Sequence, residues 1–284
     1  MLQGGAALAA LGASPAASAA AGDTQPLWLV SEGRAKVYLY GNAGSATPKW
    51  SAPRVEAAFA ESAVFWKETP DQRPEDRPKF AAAGVDLKRP LSTWLTPEQR
   101  EEVAKAATEA GTTFAALEPL KPWLASLSLG EAYGRRNRRP PMEDPLQILT
   151  GRAKAAGKPI RTEFPDVDSQ LAFFAGMSQA AQVEFLFYTI ENSRLAQDVI
   201  DRRRAAWAAG DLSLETHQVA HLKEDFPHLY EPFELVRNRA WPARFRTMIE
   251  EGGTSFVLVG ADHLVGPDSV LVQLEASGMT PRRV

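Results

Sequence analysis

Three stretches of the chain carry the hydrophobic pattern of buried β-strands, and they lie towards the two ends of the sequence. The stretches are residues 35–41, 63–68 and 255–259, in which aliphatic and aromatic residues follow one another closely. Such runs are typical of strands that are covered on both faces. Ser51 as N-cap and Pro53 behind it predict a helix between the first two strands. Strand, helix and strand at this spacing predict a βαβ unit with a parallel pair.

The middle of the chain, from about residue 95 to 239, has mostly helical periodicity. A capping box at Thr96-Pro-Glu-Gln99 predicts a helix that runs to residue 110. Further predicted elements are a loop at 69–90, helices at 119–128, 145–156, 214–223, 230–251 and 268–277, two or more helices within 168–209, and short strands at 158–163 and up to 284. The pattern as a whole predicts an α/β fold. Its central mixed sheet is formed by the N- and C-terminal segments, with a long, mostly helical insertion between them.

The composition is that of an ordinary globular protein with a sizeable core. The chain has 284 residues, of which 44% are hydrophobic, and a formal net charge of -3. A negative balance argues against nucleic acid as a partner, and the basic clusters at 135–139 and 202–204 are interpreted as a solvated loop and helix face. The absence of cysteine excludes thiolate catalysis, disulfides and cysteine-ligated zinc.

Residues 26–284 are interpreted as a single domain. Residues 1–25 differ from this domain in composition. The segment is rich in alanine and contains Ala-x-Ala sites typical of signal-peptide cleavage, but it lacks a basic start. We therefore expect an exported, periplasmic protein. The alternative is a disordered tail on a cytoplasmic one. No later segment has the ~18 apolar residues that a membrane span needs, so we expect no span in the mature chain.

Charged and polar residues follow two of the predicted strands at the point where each strand ends. His263 comes shortly after the strand 255–259, just outside the carboxyl end of that strand, where α/β sheets bind ligands. The alternative is a partly buried histidine bonded to the backbone. Glu68 ends the second strand and either faces a polar pocket or pairs with a cation such as Arg237. Arg237 and Asn238 either clamp an anionic substrate group or support the sheet edge.

A second group of histidines offers a rival metal site. Two imidazoles four residues apart share one face of a predicted helix, with acidic residues nearby. The group consists of His217, His221, Glu224, Asp225 and His228. Its alternative is a solvated helix face. Neither a serine-nucleophile elbow nor a phosphate-binding glycine loop is present, so the sequence indicates no serine hydrolase and no nucleotide cofactor.

Five segments together form a combination of motifs that is more specific than any one of them. They are Pro26-Leu-Trp28 with Val37-Tyr-Leu-Tyr-Gly41, the strand 63–68, Gly157-Lys-Pro-Ile-Arg-Thr-Glu163 with Gln170, Leu235-Val-Arg-Asn238 with Trp241, and Gly260-Ala-Asp-His263-Leu-Val-Gly266. This combination resembles the TraB/GumN family, also called TraB/PrgY/GumN, which includes the Tiki-like membrane metalloproteases. The resemblance covers roughly residues 26 to 284.

The resemblance implies a metal-assisted hydrolase that acts on peptide bonds. In that family two histidines, each in a G-x-x-H motif, and one glutamate are the proposed metal and catalytic groups. The matching residues here are Glu68, as ligand or general base, and His263, as ligand, for Zn, Mn or Co. The residues expected to bind substrate are Gly41, Asn42, Arg237, Asn238, Gly260 and Asp262.

The sequence departs from the family pattern where the first histidine should lie. The chain reads Gly41-Asn-Ala-Gly44, so Gly44 stands in place of a ligand. Two protein ligands seldom hold a catalytic metal, since three is the usual number. The site is therefore expected to be altered and inactive or weakly active. The alternative function is a non-catalytic protein that binds a peptide or small molecule in the same cleft. The oligomeric state is not indicated.

Overall fold

The computed structural model describes residues 24–137 and 142–284. Most of the predicted export segment and part of the basic cluster 135–139 lie outside these residues. The strands are β1 (Leu27–Glu32), β2 (Ala35–Asn42), β3 (Val64–Lys67), β4 (Ile160–Thr162), β5 (Thr254–Gly260) and β6 (Arg282–Arg283). The α-helices are α1 (Pro53–Glu61), α2 (Arg77–Gly84), α3 (Pro97–Glu109), α4 (Phe114–Leu117), α5 (Pro122–Asn137), α6 (Pro145–Ala155), α7 (Val167–Gly176), α8 (Gln179–Ser193), α9 (Gln197–Ala208), α10 (Ser213–Asp225), α11 (Pro227–Tyr230), α12 (Arg237–Glu251) and α13 (Val270–Ala276). No helix in these residues is both long enough and apolar enough to cross a membrane.

The strands form one six-stranded mixed sheet in the order β4-β3-β5-β2-β1-β6. The four strands β4, β3, β5 and β2 are parallel, whereas β1 is antiparallel to both β2 and β6. The predicted α/β fold, with a sheet built from both ends of the chain, is confirmed. The predicted βαβ unit is present, but its strands are not paired directly, because β5 lies between β2 and β3.

The register aligns the carboxyl ends of the parallel strands at one edge. Asn42 at the end of β2 is opposite Gly260 at the end of β5, and Lys67 on β3 is opposite Leu258. Since Glu68 directly follows Lys67, it lies beside Gly260. Glu163 follows β4 at the same edge. The edge therefore gathers the polar residues that follow four different strands.

Both faces of the sheet are covered by helices. On one face α1 and α6 pack, and Phe59 meets Phe256 edge-to-face at 5.5 Å between ring centroids. On the other face α9, α10, α12 and α13 pack around Trp207 and Trp241, which are fully buried. Val257 and Val259 face this second layer, while Phe256 and Leu258 face the first, as the alternation of a strand requires. Helices α2, α3, α4, α5, α7 and α8 contribute to two further hydrophobic clusters.

The helical insertion contains more helix than the sequence pattern predicted. Helix α2 lies within the predicted loop 69–90, and α5 continues well beyond the predicted end at residue 128. Pro74 and Pro78 resemble helix breakers, but they occupy the first turns of a 3-10 helix and of α2, where proline is tolerated. The N-cap of α1 is Ala52 rather than Ser51, and the Glu56 side chain accepts the Ala52 N–H.

Candidate functional site

One buried carboxylate, Glu163, and one partly buried carboxylate, Glu68, are joined by Arg237 at the ends of β3 and β4 and the start of α12. The Arg237 guanidinium donates to both oxygens of Glu163, at 3.1 Å from Nε and 2.7 Å from Nη2. Its Nη2 also donates to Glu68. The Arg237 side chain is 11% exposed and that of Glu163 only 3%, so the pairs are shielded from water. The predicted pairing of Glu68 with Arg237 is therefore present.

Glu68 has a protein partner on each of its carboxylate oxygens. Oε1 accepts the backbone N–H of Gly260, and Oε2 accepts from Arg237 and lies 3.4 Å from His263 Nε2. Burial alone would raise the pKa of the Glu68 carboxyl, but the charges of Arg237 and His263 hold it well below its usual range. A carboxylate held in its ionised form this strongly is a weak base, which argues against a general-base role.

His263 is 2% exposed and is contacted by protein groups at both ring nitrogens. Nδ1 lies 2.7 Å from Asn238 Oδ1 and 3.0 Å from Glu234 Oε2, while Nε2 faces Glu68. Burial alone would lower the pKa of His263, but the carboxylates of Glu234 and Glu68 raise it well above its ordinary value. The neighbouring carboxylates of Glu234 and Glu68 therefore favour the protonated form of His263.

Glu234 belongs to this cluster although the sequence analysis did not select it. It lies on a π-helix at Glu231–Val236 that leads directly into α12. π-Helical turns occur often at functional sites. Glu234 is 2% exposed, and Asn238, four residues later, donates to it at 3.3 Å and to the Asp268 carbonyl at 3.0 Å. The available signal was an acidic residue one turn before Asn238, on the face that also buries Trp241.

Asp262 lies next to His263 in a 3-10 helix at Ala261–Leu264. Burial and the negative charges of Glu234 and Glu68 raise the pKa of the Asp262 carboxyl to about 7, although His263 opposes this effect. A Cβ atom on Gly260 would lie 2.2 Å from Asp262 Oδ1, so the side chain could not adopt this position beside any other residue. Glycine at the end of β5 thus allows the acid to approach the strand end.

The cluster offers one set of ligand atoms for a cation. Glu234, Asp262 and His263 each contribute one potential ligand atom, and these three atoms lie within 4.8 Å of one another. No other group of this kind is found in residues 24–137 and 142–284. Two carboxylates and one imidazole suit a divalent cation of borderline character. The donor set fits a metal, but it differs from the predicted pair of Glu68 and His263, because Glu68 is not part of it and Glu234 and Asp262 take its place.

The position of the missing histidine is adjacent to an arginine. Gly44 has a φ of +81°, and a Cβ atom there would lie 2.9 Å from Arg204 Nε on α9. Asn42 stabilises this turn by accepting the Gly44 N–H at 2.9 Å. Gly41 is buried, and its carbonyl accepts from Trp207 Nε1 at 3.0 Å. Of the predicted substrate-binding residues, Gly41 therefore has a packing role, whereas Asn42, Gly260 and Asp262 line an open cavity.

The rival group of histidines is not brought together. His221 lies between Asp225 and Glu191, and His228 faces Glu184 instead. His217 is exposed. Since these side chains contact different carboxylates, the helix pattern found in the sequence does not form a common ligand set.

Comparison with known proteins agrees with the motifs. Residues 26–283 match the TraB/PrgY/gumN family, which is nearly the whole chain. Neither the curated proteins nor the solved structures contain a match. Because the match spans both ends of the sheet and the helical insertion between them, the chain belongs to the TraB/PrgY/gumN family.

Proposed function

We propose that this protein is a divalent-cation-dependent hydrolase of the peptidase type, with an altered ligand set. The observation that supports this proposal is the buried group of Glu234, Asp262 and His263 at the carboxyl end of β5. These three residues would hold the cation. They supply the third protein ligand that Gly44 cannot provide, so the usual number of ligands is retained.

The surrounding residues have supporting roles in this proposal. Glu68 faces His263 Nε2 at 3.4 Å and is itself fixed by Arg237, so it orients the imidazole ring. Asn238 holds Glu234 in position and contacts His263 at 2.7 Å. When bound, the cation supplies Lewis acidity toward the scissile carbonyl and toward water. Arg237 keeps Glu68 ionised and is too enclosed by its two carboxylates to bind substrate directly.

Metal content and cleavage test the proposal together. Protein purified without an affinity tag would be titrated with Zn²⁺, Mn²⁺ and Co²⁺, and its bound metal measured by mass spectrometry. We expect one equivalent of at least one metal, and its loss in Glu234→Gln and in His263→Gln. His217→Gln is the matched control, because it removes an exposed histidine outside the cluster. Cleavage of a peptide library should require the same metal and stop with a chelator.

A non-catalytic binding function is the second candidate, and a separate observation favours it. His263 already bridges Glu234 and Glu68, so a protonated imidazole satisfies both carboxylates without a metal. Under this alternative, the cleft binds a peptide or small molecule and cleaves nothing. Absence of stoichiometric metal, together with no chelator-sensitive cleavage, would reject the hydrolase in favour of the binding protein.

A further inference from the structure

An open cavity of about 320 Å³ lies at the carboxyl ends of β2 and β5, next to the His263 cluster. Its volume is at the lower end of the range for ligand pockets. Its lining includes Asn42, Gly260 and Asp262 at the strand ends, Arg203 and Arg204 on α9, and Glu215 on α10. It therefore joins the strand ends to helix α9, which contributes two arginines.

The consecutive arginines on α9 differ in their partners. Arg202 pairs with Asp198 on the exposed surface of the helix, and Arg203 donates to Glu215 at 2.8 Å. Arg204 has no hydrogen-bond or ion-pair partner among residues 24–137 and 142–284, although it is half-buried beside Gly44. A guanidinium offers five donors, so Arg204 retains its full capacity for an anionic group in the cavity.

The glycine at position 44 is what leaves room for this arginine. A Cβ atom at Gly44 would come within 2.9 Å of Arg204 Nε and within 3.4 Å of its Cζ and Nη2. Any larger side chain would displace the guanidinium from the cavity wall. The same substitution that removes the family's histidine therefore gives a cationic group access to the strand ends.

The acids in the wall limit the charge that the cavity accepts. Glu215 is already neutralised by Arg203, while Asp262 brings a second carboxyl group to the lining. One unpaired guanidinium balances a single negative charge, and a dianion such as phosphate would be repelled by the neighbouring acids. A carboxylate is the monoanion that guanidinium binds in a bidentate manner. Asp262 could accept a hydrogen bond from an N–H group adjacent to that carboxylate.

We propose that this cavity binds an α-carboxylate with its neighbouring N–H group, through Arg204, and that the ligand is the C-terminal end of a peptide or a free amino acid. Asp262 belongs to both the cavity lining and the proposed cation group. The inference therefore deepens the proposed function, on which it rests for the reaction. If the ligand is a peptide, the inference specifies a substrate with a free C-terminus that is cleaved near that end.

Calorimetric titration in the presence of a chelator tests this site without any contribution from a metal. The probes are trialanine, N-acetyl-trialanine, trialanine amide, L-alanine and inorganic phosphate. We expect both tripeptide acids to bind. The amide should bind at least about tenfold more weakly than the acids, because it cannot form the charge-assisted pair with Arg204. Binding of L-alanine more tightly than the tripeptides would assign the ligand as a free amino acid, which has the same chemistry.

Variants of α9 identify the residue responsible. Arg204→Gln should weaken trialanine binding about tenfold. Arg202→Gln should leave it unchanged, because that side chain is 65% exposed and pairs with Asp198. Arg204→Lys keeps the charge without the bidentate geometry and should be intermediate. Equal binding of acid and amide, preference for phosphate, or an unchanged Arg204→Gln would overturn the inference. Failure of metal uptake alone would reject the hydrolase and leave carboxylate binding intact.

Discussion

Arg237 connects the two carboxylates that hold the polar cluster to the sheet. It contacts Glu68 after β3 and Glu163 after β4, and all three side chains are largely buried. Burial alone would lower the pKa of Arg237, but both carboxylates raise it above its already high value, so it remains charged. A buried charge is costly without partners, so each member of this group depends on the others.

Removing the arginine should therefore cost more stability than removing one acid. Arg237→Met leaves Glu68 and Glu163 without their shared cation, and we expect it to lower the free energy of unfolding by about 3–5 kcal/mol. Glu68→Gln leaves Arg237 paired with Glu163 and should cost about 1–3 kcal/mol. Urea unfolding of both variants measures the difference. An equal or larger cost for Glu68→Gln would contradict the central role of Arg237.

Gly44 shows why restoring the family's histidine should not restore its function. The backbone there has a φ of +81°, which is strained for any residue with a side chain, and Arg204 occupies the adjacent space. We expect Gly44→His to lower stability by about 1–3 kcal/mol, with no gain in Zn²⁺ affinity. In a double-mutant cycle measured by thermal unfolding, adding Arg204→Ala to Gly44→His should recover part of the lost stability. A tighter Zn²⁺ site in the single variant would show that position 44 still belongs to the ligand set.

Helices α8 and α10 are joined by a histidine that the sequence suggested as a metal ligand. His221 on α10 contacts Asp225 on its own helix and Glu191 on α8, each at 2.5 Å. Burial alone would lower the pKa of His221, but the Glu191 and Asp225 carboxylates raise it above 6.5. Its role is therefore to link two helices, and the link depends on protonation.

The contribution of this link should disappear as the pH rises. The pKa of His221 is higher in the folded state than in the unfolded state. Its stabilising contribution is therefore fully present below the unfolded pKa of about 6.5, and it is lost as the pH rises through the higher folded pKa. At pH 6, His221→Gln should lower the free energy of unfolding by roughly 1 kcal/mol, and at pH 9 by almost nothing. Denaturant unfolding at the two pH values measures this. His217→Gln, on the same helix but exposed, is the matched control.

The π-helix before α12 shows how an element can position residues that no local motif marks. Glu234 on the π-helix is buried, as are Asn238 and Trp241 on α12, and this arrangement brings Glu234 to His263. Helical periodicity predicts that these residues face the same side. It does not predict that the side faces the end of β5, since that depends on how α12 packs against β2 and β5.

In the whole molecule, the candidate site is assembled only when the two ends of the chain meet. β5 inserts between β2 and β3, so residues separated by nearly two hundred positions become neighbours, as Gly260 and Glu68 do. The proposed ligands Glu234, Asp262 and His263 come from separate elements of the C-terminal part, so a cation would contact all three only in the folded protein. Binding should stabilise the native state by simple mass action.

This linkage gives a direct measurement. At a free metal concentration about 100 times the dissociation constant, the native state should gain ~2.7 kcal/mol, which corresponds to a rise in Tm of about 5–10 °C. Addition of a chelator should reverse the shift. Asp262→Asn should show no rise with metal, while in the chelated protein its Tm should exceed that of the wild type, because one crowded carboxylate is gone. A rise in Asp262→Asn equal to that of the wild type would exclude Asp262 as a ligand.

The sequence by itself determined every strand except β1, most of the helices, the α/β class and the family. These follow from local periodicity, caps and glycines, which depend on residues close together in the chain. It also identified Glu68, His263, Arg237 and Asn238, which adjoin recognisable motifs. Only the tertiary structure decided the strand order, the inclusion of Glu234 and the position of Arg204 beside Gly44. These depend on contacts between distant segments, whose packing no local pattern specifies.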